Sequence, residues 1–147
     1  MSPPPMRALL DVNVLVALLD SGHVHHGAAS SWLDRHIDEG WASCPLTQTG
    51  CLRALSAEGY PRSQPVAAVL ARLRDATSTP FHEFWPDEFS VLDTTRFDHD
   101  WLLRSRQVID GYLLALAVRR GGAFVTLDRG ADLTLVRGAE ARHLVVI

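Results

Sequence analysis

Residues 108–128 constrain the fold of this chain more than any other stretch. The first half has the apolar spacing of a buried helix, predicted to begin at Asp110, whose carboxylate can accept hydrogen bonds from the first free backbone N–H groups. Arginines in the predicted last turn, followed by Gly121 and Gly122, indicate where the helix ends. The apolar run 123–127 then predicts a buried strand that stops at Asp128.

The dimensions of this helix–strand unit bring its two ends together. A helix of about ten residues rises roughly 15 Å, and a strand of about five residues returns roughly the same distance. Asp110 and Asp128 should therefore lie at the same edge of the unit. Two carboxylates that close together are costly unless a cation neutralises them.

The length and composition predict a single domain. The 147 residues can bury one full core, and 47% hydrophobic with 21% charged residues is typical of a globular protein. Residues 1–5 are expected to be a flexible lead-in without an apolar signal segment, so a cytoplasmic protein is predicted. No apolar run reaches the ~20 residues that span a bilayer, so no membrane association is expected.

Every basic residue of the chain is an arginine. The absence of lysine excludes P-loop phosphate binding and Schiff-base catalysis. The net charge of −3 argues against a protein coated with positive charge, although a local basic patch beside an acidic site remains possible. Cys44 and Cys51 lack the spacing of a metal or redox pair and are expected to be reduced thiols.

The remaining sequence alternates apolar runs with amphipathic segments. A first strand is predicted to end at Asp11 and to be followed directly by a helix. A second strand at residues 41–44 precedes a helix with Thr47 as the candidate N-cap, and residues 143–147 form a C-terminal strand. Strands that alternate with helices indicate an α/β domain with a parallel sheet.

Three histidines, His23, His25 and His26, are crowded into four positions. Zinc would need a tetrahedral set of ligands, and no cysteine or further spaced histidine nearby completes one. The alternatives are a solvated loop, the first turn of a helix, or a position at the rim of a substrate site.

Three aspartates from distant parts of the chain are predicted to converge. The C-terminal ends of parallel strands share one edge, where ligands bind in α/β folds. Asp11 and Asp128 end two strands there, and Asp110 begins a helix there. Singly, each could be a turn or capping residue; together, they fit a site for Mg²⁺ or Mn²⁺, which could activate water for hydrolysis of a phosphodiester.

Three segments carry a resemblance to a known family: LLDVNVLVALLD near the N-terminus, PLTQTGCLRAL in the middle and VIDGYLLALAVRRGGAFVTLDRG towards the end. In this order and spacing the chain resembles the PIN-domain ribonucleases, and most closely the VapC-type toxins of bacterial toxin–antitoxin pairs. The resemblance covers nearly the whole chain.

The resemblance implies a three-layer α/β/α sandwich with a central, mainly parallel sheet and Mg²⁺- or Mn²⁺-dependent endoribonuclease activity. It also implies a homodimer, and a hetero-oligomer with a small VapB-type antitoxin that occludes the site. By position, Asp11 and Asp110 match the principal metal ligands, and Asp128 matches a later acidic ligand. Thr47 and Arg53 fall in the helix that borders the site, and Asn13 follows the first aspartate.

The sequence departs from the family at one position. The family usually has a glutamate in the helix of the second motif, and the matching residue here is taken to be Gln48, which contributes no negative charge. An alternative function is therefore a PIN-fold module that binds RNA or a protein with little catalysis. Receiver domains and haloacid-dehalogenase-like phosphatases also have acidic α/β sites, but they normally use a lysine, which this chain lacks.

Aromatic and basic side chains complete the predicted nuclease. Arg53, Arg104, Arg106 and Arg129 could hold RNA phosphates, although any one of them could equally be a solvated surface residue. The four tryptophans, Trp32, Trp41, Trp85 and Trp101, are expected to be anchors of the core or of a dimer interface rather than base-stacking platforms.

Overall fold

A computed structural model describes residues 6–101 and 104–147. The predicted lead-in, residues 1–5, lies outside the described residues, as do Leu102 and Leu103. Within the described part, no helix is long and apolar enough to cross a membrane.

Five short strands in the described part form one parallel sheet with the order β3-β2-β1-β4-β5. Their bounds are β1 Ala8–Leu10, β2 Trp41–Ser43, β3 His82–Phe84, β4 Ala123–Thr126 and β5 Leu144–Val146. The helices are α1 Val12–Leu19, α2 His26–His36, α3 Pro45–Ser56, α4 Val66–Thr77 and α5 Gln107–Arg120. The predicted parallel sheet and the C-terminal strand are confirmed.

The sheet separates two hydrophobic cores, which is why its strands are apolar on both faces. Leu9 and Phe124 point to a core shared with α5, whereas Leu10 and Val125 point to a core shared with α1, α3 and α4. Successive residues of a strand alternate between faces, so each short strand contributes to both cores. The result is the predicted three-layer α/β/α sandwich.

The strand order places a topological switch point between β1 and β4. The chain moves outward from β1 through β2 to β3, then returns to the opposite side of β1 and continues through β4 to β5. In open α/β sheets of this kind, ligands bind in the crevice beyond the C-terminal ends of the two strands at the switch point. Those two ends carry Asp11 and Asp128.

The predicted start of α5 is wrong. The helix begins at Gln107, with Arg106 as the capping residue, so Asp110 lies about one turn inside it. The side chain of Gln107 accepts a hydrogen bond from the Arg104 backbone N–H at 3.0 Å, and this contact closes the turn before the helix. The segment from Asp110 to Arg120 still has the length that brings Asp110 to the edge of the sheet.

The predicted end of α5 is confirmed. Gly121 has a φ of +66°, the left-handed conformation that glycine adopts without strain. Gly122 lies so close to β1 that an added Cβ would be 2.4 Å from the backbone oxygen of Arg7. The two glycines therefore turn the chain and let β4 enter the sheet directly beside β1.

Candidate active site

Asp11 is a buried carboxylate at the junction of β1 and α1. It is 6% exposed and is the N-cap of α1, where its Oδ1 accepts a hydrogen bond from the Val12 N–H at 2.7 Å. Its backbone N–H donates to the Val125 oxygen of β4 at 2.9 Å, which ties the end of β1 to its neighbour. Both the backbone and one carboxylate oxygen are thus held in place.

Thr126, which the sequence reasoning missed, orients the other oxygen of Asp11. Its buried hydroxyl donates to Asp11 Oδ2 at 2.7 Å and accepts from Asn13 Nδ2 at 3.2 Å and from the Asp128 N–H at 3.0 Å. Asn13 Oδ1 in turn accepts from the Leu127 N–H at 3.2 Å. The sequence signal that could have identified Thr126 is a hydroxyl residue at the end of a buried strand, two positions before an aspartate.

Asp110 lies within electrostatic range of both other aspartates. Its pKa is raised to about 7, first by burial, then by the charges of Asp11 and Asp128 and by a hydrogen bond with Asp128. Burial also raises the pKa of Asp11, against the hydrogen bonds from Thr126 and Val12 that lower it. The predicted convergence of three carboxylates at one edge agrees with this electrostatic coupling.

The three aspartates differ in exposure. Asp11 is buried, Asp110 is half-buried and Asp128 is exposed, with its Oδ1 accepting from the Gly130 N–H at 2.8 Å. The site is therefore an open edge with one buried wall. Solvent can reach it from the side of Asp128.

The donor set suits a hard divalent cation in chemistry and in charge. Carboxylate oxygens are the ligands that Mg²⁺ prefers, and burial together with the charges of Asp11 and Asp128 raises the pKa of Asp110, a cost that a bound cation would offset. In the residues that the structure describes, however, no three His, Cys, Asp or Glu side chains form a group that could hold a metal ion. The three aspartates are close enough to repel one another, but they do not form a complete set of metal ligands in this arrangement.

The three histidines also form no such group in the described part of the chain. His23 Nδ1 accepts a hydrogen bond from the His25 backbone N–H at 3.0 Å, and His26 Nδ1 contacts the Ala17 oxygen at 2.8 Å. These contacts shape the turn between α1 and α2. The interpretation as a loop and first helical turn is the one that the structure supports.

Thr47 is not the N-cap of α3. Cys44 is the N-cap, and Thr47 is the third helical residue, fully buried, with its hydroxyl accepting from the Cys44 N–H at 2.9 Å. The helix begins earlier than predicted because Pro45 suits its first position and Thr47 reaches back to close the turn. A fully buried hydroxyl does not contact substrate, so Thr47 supports the start of the helix.

Gln48 and Arg53, also on α3, do not reach the acidic site. Gln48 is half-buried and its Nε2 donates to Ser43 Oγ at 2.9 Å, at the end of β2. Arg53 is exposed. Neither side chain contacts Asp11, Asp110 or Asp128 in the hydrogen bonds and ion pairs of the described residues.

The arginines proposed to hold RNA are all on the surface. Arg53, Arg104, Arg106 and Arg129 are exposed, and none of them enters an ion pair among residues 6–101 and 104–147. Arg106 precedes the first turn of α5 and Arg129 follows Asp128, so both flank the acidic edge in sequence. Of the tryptophans, Trp41 and Trp85 are buried in the core, Trp32 is partly buried, and Trp101 is 52% exposed.

A family model described as the PIN domain matches residues 8–134, which include all three aspartates. This chain belongs to the PIN-domain family. Ribonuclease VapC44 of Mycobacterium tuberculosis is 49% identical over 142 residues, covering 97% of this chain and 100% of that protein. Ribonuclease VapC39 of the same organism is 41% identical over 124 residues, covering 84% of this chain and 89% of that protein.

The fold of this PIN domain is also that of a solved toxin. The crystal structure of Mycobacterium tuberculosis VapC20, described as a sarcin-ricin loop cleaving toxin, matches with a TM-score of 0.57 at 14% identity, covering 85% of this chain and 91% of that chain. At that identity the likeness shows the fold alone. The resemblance to VapC-type proteins is confirmed, and these relatives give no support to the alternative of a binding module with little catalysis.

Proposed function

We propose that this PIN domain is a divalent-metal-dependent endoribonuclease that acts as the toxin of a toxin–antitoxin pair. One observation carries the proposal: Asp11, Asp110 and Asp128 meet at the switch point of the sheet, where burial and then the charges of the other two carboxylates raise the pKa of Asp110. Relatives of nearly full length that are named ribonucleases support the choice of RNA as substrate.

In this proposal Asp11 and Asp110 hold the metal ion and Asp128 completes the acidic site. Mg²⁺ or Mn²⁺ bound there would lower the pKa of a water molecule and neutralise charge that develops on the phosphate. The protein's own task is orientation. The hydroxyl of Thr126 and the N–H of Val12 hold the two oxygens of Asp11, so that the carboxylate is already oriented for the metal ion before substrate binds.

Exposed arginines would bind the RNA backbone beside this site. Arg106 and Arg129 are the best placed, because they adjoin α5 and Asp128. Phosphate binding by a few arginines makes affinity fall with salt, with a log–log slope of roughly −0.7 for each phosphate contact on single-stranded RNA. Replacing both arginines should reduce that slope without changing the metal requirement.

The decisive assay is cleavage of structured RNA by the purified protein in Mn²⁺ or Mg²⁺, compared with EDTA. Cleavage that requires the metal and is lost in Asp110→Ala supports the proposal. Undiminished cleavage in EDTA, or in the purified Asp110→Ala variant, contradicts it.

The proposed partners are an antitoxin and a second copy of the chain. A small VapB-type protein would inhibit the nuclease by covering the acidic edge, and the protein would be a homodimer. Val108 and Ile109, which are 39% and 45% exposed and adjoin Asp110, are apolar surface that such contacts would bury. Sedimentation of the purified protein tests the dimer, and a monomer at tens of micromolar would contradict it.

A further inference from the structure

Gln48 faces away from the helix surface that adjoins the acidic site. That surface is marked by Gly50, where an added Cβ would lie 2.6 Å from Cγ2 of Val12, the residue whose N–H holds Asp11. Residues two apart on a helix are separated by about 200° around its axis. Gln48 therefore lies on nearly the opposite side of α3 and lines a groove of about 280 Å³ between α3 and α4.

On that side Gln48 begins a chain of hydrogen bonds. Its Nε2 donates to Ser43 Oγ at 2.9 Å, and Ser43 Oγ lies 2.7 Å from Nε2 of His82 on β3. The chain thus connects the first turns of α3 with β2 and β3.

The direction of the chain follows from its first member. Gln48 Nε2 can only donate, so Ser43 Oγ accepts from it and has its own hydrogen to donate. In a neutral imidazole whose Nδ1 carries the hydrogen, Nε2 accepts, and the Ser43 hydroxyl donates to it. Glutamine fits because its amide has N–H groups, which a carboxylate lacks.

The surroundings keep the His82 ring neutral. Burial is the largest cause of its lowered pKa, and the charge of Arg7 lowers it further, while the backbone of Thr77 and the charge of Glu83 raise it. The ring also lies against the indole of Trp41, with centroids 4.5 Å apart. A neutral ring with one accepting nitrogen is the form that the chain requires.

We propose that Gln48 is a positioning residue, not a metal ligand: through Ser43 and His82 it holds the first turns of α3 to β2 and β3, and α3 in turn supports Val12 beside Asp11. Only the predicted effect of this role on RNA cleavage rests on the proposed nuclease function. The hydrogen-bond chain itself is a property of the folded protein and can be measured without RNA.

The proposal predicts a specific consequence of Gln48→Glu. The new carboxylate can only accept, so Ser43 must donate to it and His82 Nε2 must donate to Ser43. The negative charge of the carboxylate, two hydrogen bonds away, favours the ring form in which both nitrogens carry hydrogen, which is the charged form. The pKa of His82 should rise by at least about one unit.

Histidine-selective NMR titration of the full chain tests this. We expect the His82 titration to shift upward by at least about one pH unit in Gln48→Glu, and the shift to disappear in Ser43→Ala/Gln48→Glu compared with Ser43→Ala. Gln64→Glu, which adds the same charge in the loop before α4, is the matched control and should leave His82 unchanged. An unshifted His82, or a shift that persists without the Ser43 hydroxyl, overturns the proposal.

Two further measurements complete the test. RNA cleavage by Gln48→Glu should fall or stay constant, because no ligand has been restored, and a sharp gain would overturn the proposal. If Gln48→Glu does not fold, Gln48→Met decides: it removes the donor at similar volume, so amide exchange in the first turn of α3 should accelerate. Unchanged exchange there would exclude the positioning role.

Discussion

The two ends of α1 carry aspartates in opposite electrostatic environments. Asp11 at the N-terminus and Asp20 at the C-terminus are 6% and 4% exposed. Arg62 Nε donates a bifurcated hydrogen bond to the two carboxylate oxygens of Asp20, at 2.7 and 2.8 Å, and the Tyr60 hydroxyl donates another. Among the described residues, Asp11 accepts only from the neutral donors Val12 N–H and Thr126 hydroxyl, and its charged neighbours are Asp110 and Asp128.

The pKa shifts follow this difference. Arg62 and Tyr60 hold the pKa of Asp20 well below its usual range, whereas burial raises the pKa of Asp11. A buried carboxylate with its own guanidinium needs no further partner, so Asp20 connects α1 to the loop after α3. A buried carboxylate beside two others lacks its counter-charge, which distinguishes a candidate site from a structural ion pair.

The largest expected effect separates the two aspartates by activity. Asp11→Asn should reduce RNA cleavage by at least about 100-fold, since replacing even the outer partners of a metal ligand costs about 10–100-fold. Asp20→Asn is the matched control and should cleave normally per folded molecule. Equal losses in the two variants, measured as initial rates on one RNA, would remove the distinction.

Thr126 tests whether orientation of Asp11 matters beyond its charge. Thr126→Val keeps the shape of the side chain but removes the donor to Asp11 Oδ2, so cleavage should fall about 10–100-fold. Thr126→Ser restores the hydroxyl and should recover most of the rate. If valine and serine behave alike, the hydroxyl has no part in aligning the site.

Asp20 should matter for stability, and most at neutral pH. Because its pKa is lowered in the folded state, its contribution is present above the ordinary carboxyl pKa of about 3.9 and is lost as pH falls below that value. Asp20→Asn should lower Tm by several degrees at pH 7 and by less at pH 3. A pH-independent difference in thermal unfolding would contradict this linkage.

Asp110 should show the reverse dependence in EDTA. Its folded pKa of about 7 lies above the unfolded value, so the folded state binds more protons and stability falls as pH rises from about 4 to about 7. Asp110→Asn removes the repelled charge and should stabilise the protein by about 1–3 kcal/mol at pH 8 but little at pH 4. Chemical denaturation at the two pH values measures it; destabilisation at pH 8 would be the contrary result.

Sequence reasoning located the acidic edge because each aspartate adjoins a strong local signal. Asp11 follows an apolar run, and the run before Asp128 is bounded by glycines, so their positions at strand ends depend on short-range patterns. The start of α5 was placed too late because a side chain, Gln107, closes the preceding turn. The predicted N-cap of α3, Thr47, was wrong for a similar reason: Cys44 is the N-cap, and the side chain of Thr47 bonds back to it.

The contacts of Asp20, Thr126 and Gln48 required the tertiary structure. Asp20 meets Arg62 across 42 positions, and Thr126 meets Asp11 across 115. Gln48 was matched to an acidic position by its place in a motif, but the face of α3 on which it lies is decided by how Gly50 packs on Val12. Hydrogen bonds between distant segments leave no periodic pattern in the local sequence, so they cannot be predicted from it.

The sequence by itself determined the α/β class, the parallel sheet and the edge of the sheet at which the three aspartates lie, because apolar periodicity and glycine turns are local properties of the chain. Only the tertiary structure decided which buried aspartate has a counter-charge, which hydroxyl orients Asp11 and what Gln48 contacts. The physical reason is that the pKa of a carboxylate depends on charges and donors within a few ångströms, and packing brings those groups from anywhere in the chain.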